Sequence, residues 1–247
     1  HTPSSHPGWQ SIVRRRELGH SVNSQLRSSI VPDLQLYKSW KGASNDVIVS
    51  AWSPDGSRFV AGATVQCDEH NMEYNRGNNL ILGDLVTNSL KELPDHWVPR
   101  PTSRSSRNMG DSRLFMSVTA VQWFEDLIFS ASYDNTVKLW DATSHANTRC
   151  VKTLSHSSKV QVMARSNFNP NVLATGTKSI SLWNIDDASY SPLDVVQPYN
   201  RKDIELLATS LVWGQIPATK DILLAGMAEG YAEEEGVPCN GLLAMWI

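Results

Sequence analysis

The sequence has little cysteine, no long apolar run and no strong net charge. Three cysteines occur in 247 residues, at Cys67, Cys150 and Cys239. So sparse and odd-numbered a set argues against a disulfide-stapled secreted domain and favours a reducing compartment. No apolar stretch approaches the ~20 residues of a membrane span, and no apolar segment of the signal-peptide type opens the chain. We therefore expect an intracellular protein, in the nucleus or the cytoplasm, that does not contact membranes.

Motifs of catalysis are lacking as well. No glycine-rich phosphate loop follows a strand pattern, and neither Gly-x-Ser-x-Gly nor His-Glu-x-x-His occurs. Residues Cys67–His70 are all potential metal ligands, but they are contiguous, whereas a zinc site needs spaced ligands that converge on a tetrahedron. His156 and Asp134 resemble a catalytic pair by residue type, and a structural role is the favoured interpretation. The sequence predicts no enzyme, no metal and no cofactor.

An internal repeat dominates the rest of the chain. Its clearest copy is Ser117–Trp140, in which short β-rich segments alternate apolar and polar residues around the turn formers Asp134 and Asn135. Related copies cover 47–84, 159–184 and 208–247. The strand-ending residues Asp84, Trp140, Trp183 and Trp246 are spaced by 56, 43 and 63 positions, so the longer copies contain insertions.

These repeats resemble the WD-repeat family, whose unit is a four-stranded propeller blade of about 40–45 residues. The segment Tyr133–Asp141 carries the resemblance most strongly, and Ala51–Gly56 carries it well. The resemblance implies an all-β fold, a WD-repeat β-propeller. Because closed rings of this type usually need about seven blades, we interpret the chain as part of a larger ring. About four blades are visible, at about 45–93, 114–154, 156–198 and 205–247.

The tryptophans of the repeats are expected to be packing residues of the core. They are Trp52, Trp123, Trp140, Trp183 and Trp213. The family also uses a buried His–Ser/Thr–Asp–Trp hydrogen-bond network within a blade. Here the blade that ends at Trp140 has Asp134 but is expected to lack the histidine before Val118, and the blade that ends at Trp183 has His156 but Lys178 in place of the aspartate. We therefore expect packing to stabilise the blades more than this network does.

Three insertions interrupt the repeats, at 66–79, 94–113 and 229–241. Connections this long between strands are usually functional or disordered. The first and third are predicted interaction loops, with a passive solvated loop as the alternative. The second is rich in Pro, Ser and Arg and is predicted to be a mobile inter-blade linker whose arginines could meet phosphate or acidic peptide. The candidate interaction residues are Glu69, His70, Tyr74, Arg76, Glu233, Glu234 and Glu235.

The N-terminal segment 1–44 differs in kind from the blades. Six basic and two acidic side chains give it a net charge of +4. Apolar residues at helical spacing between Pro7-Gly8 and Pro32 predict a short helix–loop–helix, with helices over about Trp9–Leu18 and Val22–Ser29. Such short helices need a surface to dock on, either a partner or their own propeller. The candidate partner-binding residues are Trp9, Ile12, Val13, Arg14, Arg15, Leu18, Val22 and Leu26.

A second resemblance covers this opening part of the chain. Ser11–Arg14, Glu17–Gly19, Leu34–Tyr37 and Ser50–Pro54 are similar to the start of the small WD-repeat subunit of the UV-damaged-DNA-binding complex. That likeness implies N-terminal helices that dock into a triple-propeller adaptor of a cullin-type ubiquitin ligase. It also implies a role as substrate receptor or architectural subunit for a substrate or chromatin protein, including heterochromatin-associated ones. The alternatives are a generic WD-repeat scaffold, or a histone- or DNA-binding chromatin module, whose helices only cap its own propeller.

Overall fold

The computed structural model describes residues 36–68, 72–101, 111–195, 205–229 and 241–247. Within these ranges the regular structure is almost entirely β, and two short 3-10 turns, Met72–Tyr74 and Pro217–Thr219, complete it. No helix in the described ranges has the length and apolarity needed to cross a membrane. The predicted helix–loop–helix, with its partner-binding residues, lies outside the described residues.

Four successive sheets, here called blades, follow one another along the chain, and neighbouring strands within each are antiparallel. A two-stranded hairpin lies between the first and second blades in sequence. The predicted all-β architecture is confirmed. The first blade has β1 (Val47–Trp52), β2 (Arg58–Ala63), β3 (Leu80–Asp84) and β4 (Ser89–Glu92), and the hairpin has β5 (Trp97–Pro99) and β6 (Arg113–Phe115). The second blade has β7 (Val118–Phe124), β8 (Leu127–Ser132), β9 (Thr136–Asp141) and β10 (Arg149–Ser155). The third has β11 (Val162–Arg165), β12 (Val172–Gly176), β13 (Ile180–Asn184) and β14 (Ser189–Leu193), and the fourth has β15 (Leu206–Trp213), β16 (Leu223–Glu229) and β17 (Leu242–Trp246).

Short polar turns set the register within a blade. After β1, the Ser53 hydroxyl donates to Asp55 at 2.6 Å, and the Ser57 backbone N–H donates to the same carboxylate. These hydrogen bonds lower the pKa of Asp55 to about 2, with the Ser53 bond as the largest cause. Gly56 adopts a φ of 69°, which a residue without Cβ reaches at little cost. The Ser-Pro-Asp-Gly turn therefore fixes how β2 pairs with β1.

The core lies between blades. The inner strands β1, β7, β11 and β15 pack in that order, each against the next. One apolar cluster joins the first and second blades, another joins the second and third, and another joins the third and fourth. Trp123, Trp140, Trp183 and Trp213 are buried in these clusters, as predicted. A single blade is too thin to bury both of its faces, so stacking supplies the hydrophobic stabilisation.

The first blade departs from this pattern at two positions. Trp52 is 60% exposed, so the prediction that it is a buried packing residue is wrong. Its ring lies on the side of the first blade that faces away from the second, where it makes an edge contact with Phe59 at 5.9 Å. Gly83 occupies the strand position that Trp140 and Trp183 fill in the next two blades. The Phe59 ring takes up that space, because a Cβ on Gly83 would come within 2.2 Å of it.

The segment 94–113 is not simply a linker, and that prediction is corrected for its described part. Trp97 pairs with Phe115, Val98 with Leu114 and Pro99 with Arg113, which makes the two ends of the insertion a hairpin. Leu114 and Phe115 are buried. The apolar side chains at the end of the insertion anchor it, a feature that the Pro-, Ser- and Arg-rich composition conceals.

Candidate interaction face

The long insertions begin and end on one face of the propeller. In an antiparallel meander, the connection from second to third strand and the connection to the next blade lie at the same end of the sheet. The first insertion joins β2 to β3, the second joins β4 to β7, and the third joins β16 to β17. All three therefore start and finish at the end where the inner strands begin, which we call the upper face.

The first two insertions are joined into one structure by Asn75. Its side-chain amide donates to the carbonyl oxygens of Gln66 at 2.8 Å and Phe115 at 2.9 Å. Its side-chain oxygen accepts the backbone N–H of Phe115 at 2.9 Å. The asparagine thus acts as a cross-strand partner for the hairpin. We call residues 66–68 and 72–79 together with β5 and β6 the insertion platform.

Arg100 makes the second connection within the insertion platform. Its guanidinium donates to the carbonyl oxygens of Met72 and Arg113, both at 3.1 Å, and to the side-chain oxygen of Asn75 at 3.4 Å. The planar five-donor head of arginine suits this bridging role. From the sequence, Arg100 is one of the linker arginines that could meet phosphate or acidic peptide, with a solvated loop as the favoured alternative. In the structure its donors are used to hold two insertions together.

An open cleft of about 410 Å³ lies at the edge of the insertion platform. Tyr74 is 64% exposed beside it, and Arg76 donates to the backbone carbonyls of Ser44 and Ala43 at 2.9 and 3.2 Å. Both residues were candidates from the sequence, and the structure brings them together. The full lining is Ser44, Asn45, Gln66, Glu73, Tyr74 and Arg76.

The electrostatics of the cleft combine one acidic and one basic side chain. A hydrogen bond with Glu73 raises the pKa of Tyr74, so its hydroxyl stays protonated at neutral pH. Tyrosine and arginine are the residue types that dominate binding energy at protein interfaces. The cleft therefore suits a polar peptide surface. The other candidates from the insertions, Glu69, His70, Glu233, Glu234 and Glu235, lie outside the described residues.

The second blade contains a buried four-residue hydrogen-bond network. His96 Nδ1 lies 2.8 Å from Asp134 Oδ2, and His96 Nε2 lies 2.6 Å from Ser130 Oγ. The Trp140 indole N–H donates to the same hydroxyl at 2.8 Å. The prediction that this blade has no histidine is wrong. His96 precedes the hairpin, and β5 and β6 separate it in sequence from the strand that it serves.

Burial and hydrogen bonding oppose each other at Asp134. Burial alone would raise the pKa of this carboxyl, but the hydrogen bond and charge of His96 and the hydrogen bond from Thr136 outweigh it. The pKa of Asp134 therefore lies below its ordinary value. The carboxylate is ionised at neutral pH and holds the imidazole in place.

The third blade has the same network without the acid. His156 Nε2 and the Trp183 indole N–H both lie 2.9 Å from Thr175 Oγ1. The imidazole also packs on the indole, with ring centroids 4.6 Å apart. Lys178 stands at the aspartate position, as predicted, and it pairs instead with Glu205. Burial lowers the pKa of His156, so its neutral form is favoured.

The Ser130–His96–Asp134 arrangement has the connectivity of a hydrolase triad but lacks access for a substrate. Ser130 and His96 are fully buried, and the Ser130 hydroxyl already contacts the Trp140 indole. A nucleophile must reach the reacting atom of its substrate. These residues therefore stabilise the second blade, and the cleft of the insertion platform, in contrast, is an accessible polar site.

Comparison with known proteins agrees with this reading of the fold. Residues 114–141, which cover the hairpin end and the first three strands of the second blade, match the family described as WD domain, G-beta repeat. No curated protein sequence matches the chain significantly. The architecture is that of a WD-repeat β-propeller, and the fold prediction is confirmed.

Two propellers are among the solved structures that resemble the chain. The Dos1 propeller is 15% identical with a TM-score of 0.59, over 84% of this chain and 48% of that one. The Cps50 (Swd1) β-propeller domain of Myceliophteria thermophila is 17% identical with a TM-score of 0.53, over 77% of this chain and 51% of that one. The chain thus spans about half the length of each. The fold is that of a WD-repeat propeller, which generally serves as a protein-interaction scaffold.

Proposed function

We propose that this chain is a WD-repeat substrate-receptor or architectural subunit of a cullin-type ubiquitin ligase linked to chromatin or heterochromatin. Its N-terminal segment would bind the triple-propeller adaptor of the ligase, and its upper face would hold a substrate or chromatin protein. The proposal places it in the nucleus. The resemblance of Ser11–Arg14 and Glu17–Gly19 to the small subunit of the UV-damaged-DNA-binding complex supports the adaptor part.

The observation that carries the substrate part is the rigid construction of the insertion platform. Asn75 and Arg100 fix two insertions against each other, so Tyr74 and Arg76 are presented from a pre-ordered surface. Pre-organisation lowers the entropic cost of binding a partner. An exposed tyrosine at the edge of a cleft is a typical anchor for a peptide segment.

Direct measurement of adaptor binding tests the first part. The purified chain, a variant without residues 1–31, and the variants Ile12→Asp and Leu18→Asp are titrated with the purified triple-propeller adaptor. Each aspartate is expected to cost about 2 kcal/mol or more, which corresponds to roughly thirtyfold in Kd. Val151→Asp is the matched control, because Val151 is a half-exposed side chain on β10, far along the chain. Unchanged adaptor binding after deletion of 1–31 would contradict the proposal and favour helices that cap their own propeller.

A second measurement tests the upper face. Once adaptor binding is established, ligase complexes with Tyr74→Ala or Arg76→Glu are compared in ubiquitination of chromatin proteins. Substrate modification is expected to fall while adaptor binding stays the same. Tyr190→Ala serves as the control, since Tyr190 is 60% exposed on β14, away from the platform residues. Equal loss in the control and in Tyr74→Ala would remove the platform from the proposal.

A further inference from the structure

Two apolar side chains lie on neighbouring turns at the end of the blades opposite the insertion platform, which we call the lower face. The inner strands end there, so the turns that follow β11 and β15 both lie on this face. Phe168, in the turn after β11, is 43% exposed, and Ile216, in the turn after β15, is 57% exposed. We call these two residues the apolar pair. They hold apolar area in contact with water that a bound partner would remove from it.

A hydrogen bond between side chains joins the two turns. The Asn167 amide donates to the Gln215 side-chain oxygen at 2.8 Å, and the Gln215 amide donates to the Trp213 carbonyl at 2.8 Å. Phe168 directly follows Asn167 in the chain, and Ile216 directly follows Gln215. The apolar pair therefore belongs to one surface, which crosses the junction between the third and fourth blades.

The turn that carries Phe168 is held by polar side chains at its base. The Ser166 hydroxyl accepts the backbone N–H of Phe168 at 3.3 Å and that of Asn169 at 3.1 Å. Arg165 donates from Nε to the Pro170 carbonyl at 3.0 Å. These bonds fix the backbone on both sides of Phe168, so its ring is presented from an ordered turn.

The turn that carries Ile216 folds back closely on itself. The Gly214 backbone N–H donates to the Ile222 carbonyl, and the Thr219 N–H donates to the Ile216 carbonyl, both at 2.9 Å. A Cβ on Gly214 would come within 1.8 Å of the Thr219 carbonyl oxygen, so this close fold requires glycine. Pro217 restricts the backbone at the start of the 3-10 turn. Both members of the apolar pair are thus pre-ordered, which lowers the entropic cost of binding a partner.

Exposed carboxylates lie on the turns beside the apolar pair. Glu125 and Asp126 form the turn after β7, and Asp186 and Asp187 belong to the turn after β13. All four residues are exposed. The Asn171 side-chain amide donates to the Asp186 carboxylate, which places that acid beside the end of the turn that carries Phe168.

The cations of the same region are directed onto the protein itself. The Arg165 guanidinium lies over the Phe124 ring, 4.4 Å from its centroid. The Lys152 ammonium donates to two carbonyls of the turn after β13, both at 2.7 Å. Lys220 lies 3.9 Å from Asp221, so these two residues add no net charge. The four exposed carboxylates outnumber the two remaining cations, and the charge that surrounds the apolar pair is negative.

We propose that the lower face at the junction of the third and fourth blades binds a short basic segment of another protein. An apolar side chain of that segment packs on Phe168 and Ile216, and its lysines or arginines face the surrounding carboxylates. Negative charge around an apolar contact favours a basic partner and opposes an acidic one. This site is separate from the insertion platform and from adaptor binding, because it lies at the opposite end of the blades.

Fluorescence anisotropy with a labelled synthetic peptide tests the proposal. The probe alternates pairs of leucine and lysine, and a peptide with glutamate in place of lysine is the charge control. We expect saturable binding of the lysine peptide and none of the glutamate peptide. Phe168→Ser and Ile216→Ser should each weaken binding at least about tenfold, because each removes apolar contact area. Val86→Ser is the matched control, since Val86 is 83% exposed on the lower turn of the first blade.

The carboxylates are tested by the double variant Glu125→Gln, Asp126→Asn. Its binding should be weaker at low salt and should change less with added salt, because fewer charges are screened. Circular dichroism of every variant establishes that the blades remain folded. The proposal would be overturned by a lysine peptide that does not bind saturably, by a glutamate peptide that binds equally well, or by equal binding in Phe168→Ser and Val86→Ser. Self-association of the chain that Phe168→Ser abolishes, detected by light scattering, would assign this surface to a second copy instead.

Discussion

Replacing His96 by alanine tests the buried network of the second blade most directly. The substitution removes both hydrogen bonds of the imidazole, to Asp134 at 2.8 Å and to Ser130 at 2.6 Å. The Asp134 side chain is 3% exposed, so its carboxylate would lose its imidazole hydrogen-bond partner with little access to water. Breaking a buried pair from one side typically costs about 3–5 kcal/mol.

The expected cost lies toward the lower part of that range. Asp134 keeps two donors, the Thr136 backbone N–H at 2.9 Å and the Thr136 hydroxyl at 2.7 Å. The Trp140 indole still donates to Ser130. We therefore expect about 3–4 kcal/mol, a large share of the roughly 5–15 kcal/mol that folded domains possess. Urea unfolding followed by tryptophan fluorescence measures it.

His156→Ala provides a matched comparison inside the same molecule. It removes two neutral hydrogen bonds, to the Thr175 hydroxyl and to the Leu154 carbonyl, and one ring contact, to Trp183, without leaving a buried charge. Its cost should be about 1.5–2.5 kcal/mol. A loss for His96→Ala that is no larger than the loss for His156→Ala would refute the role assigned to the Asp134 carboxylate.

The network also predicts a response to acid. The pKa of Asp134 is lowered in the folded protein, so its contribution is complete above the unfolded value of 3.8. The contribution is lost as the pH falls through the folded pKa. The gap in stability between the unchanged chain and Asp134→Asn should therefore be constant near neutral pH and close only in strong acid. A gap that closes between pH 5 and 7 would mean that another group is titrating.

Three further changes test the packing and electrostatics of the blades. Lys152→Met removes the ammonium that donates to two carbonyls of the third blade at 2.7 Å each. The free energy of unfolding, measured in urea, should fall by about 1–2 kcal/mol. An unchanged midpoint would contradict the inter-blade role of this lysine. Gly62→Ala places a Cβ 2.6 Å from Val118 Cγ1 between the first two blades, so Tm should fall with a loss of about 1–3 kcal/mol, whereas a neutral effect would show that this junction adjusts freely. Burial lowers the pKa of His156 below 6.5, so the stability linked to its neutral form is complete above pH 6.5 and is lost as the pH falls below that value. His156→Gln should flatten the slope of Tm against pH between about pH 5 and 7, and a slope that persists would assign it to another group.

Hydrophobic periodicity predicts the strands of the blades well, because equivalent strands of successive blades pack in the same environment. In Thr136–Asp141 the apolar residues Val137, Leu139 and Trp140 are buried on the two faces of the strand, and the polar residues are half-buried. Trp52 does not follow this pattern of burial. Its pattern is that of a core residue, but exposure depends on whether a neighbouring blade is present, and local sequence carries no information about that.

His96 was not predicted as the network histidine of the second blade, because that histidine was expected close in sequence to the first strand of its blade. The hairpin separates it from β7, whereas His156 stands close to β11 in sequence. A better signal is the distance from the preceding outer strand. His96 follows the buried Leu93 by three positions, and His156 follows the buried Leu154 by two. The outer strand, which the insertion leaves intact, fixes where the imidazole enters the blade.

The site could be predicted only in part, since its construction depends on long-range hydrogen bonds. Tyr74 and Arg76 are candidate interaction residues because of their place in a long connection. Asn75 is as prominent in the sequence as either, but its role depends on Phe115, forty positions away. Interaction loops are recognised by length and composition, and the residues that hold them rigid are recognised by partners that only the fold supplies.

The interaction face and the core share one set of contacts. The side-chain amide of the buried Asn79 donates to the carbonyls of His96 and Met116 at 2.8 and 2.7 Å, and the Met116 backbone N–H donates to the same His96 carbonyl. His96 thus belongs to the network of the second blade through its imidazole. Through its backbone carbonyl it also holds Asn79, at the end of the first insertion. Because both ends of the hairpin meet there, the insertion platform cannot shift without disturbing the second blade. The rigidity that a binding surface needs is supplied by the same contacts that stabilise the fold.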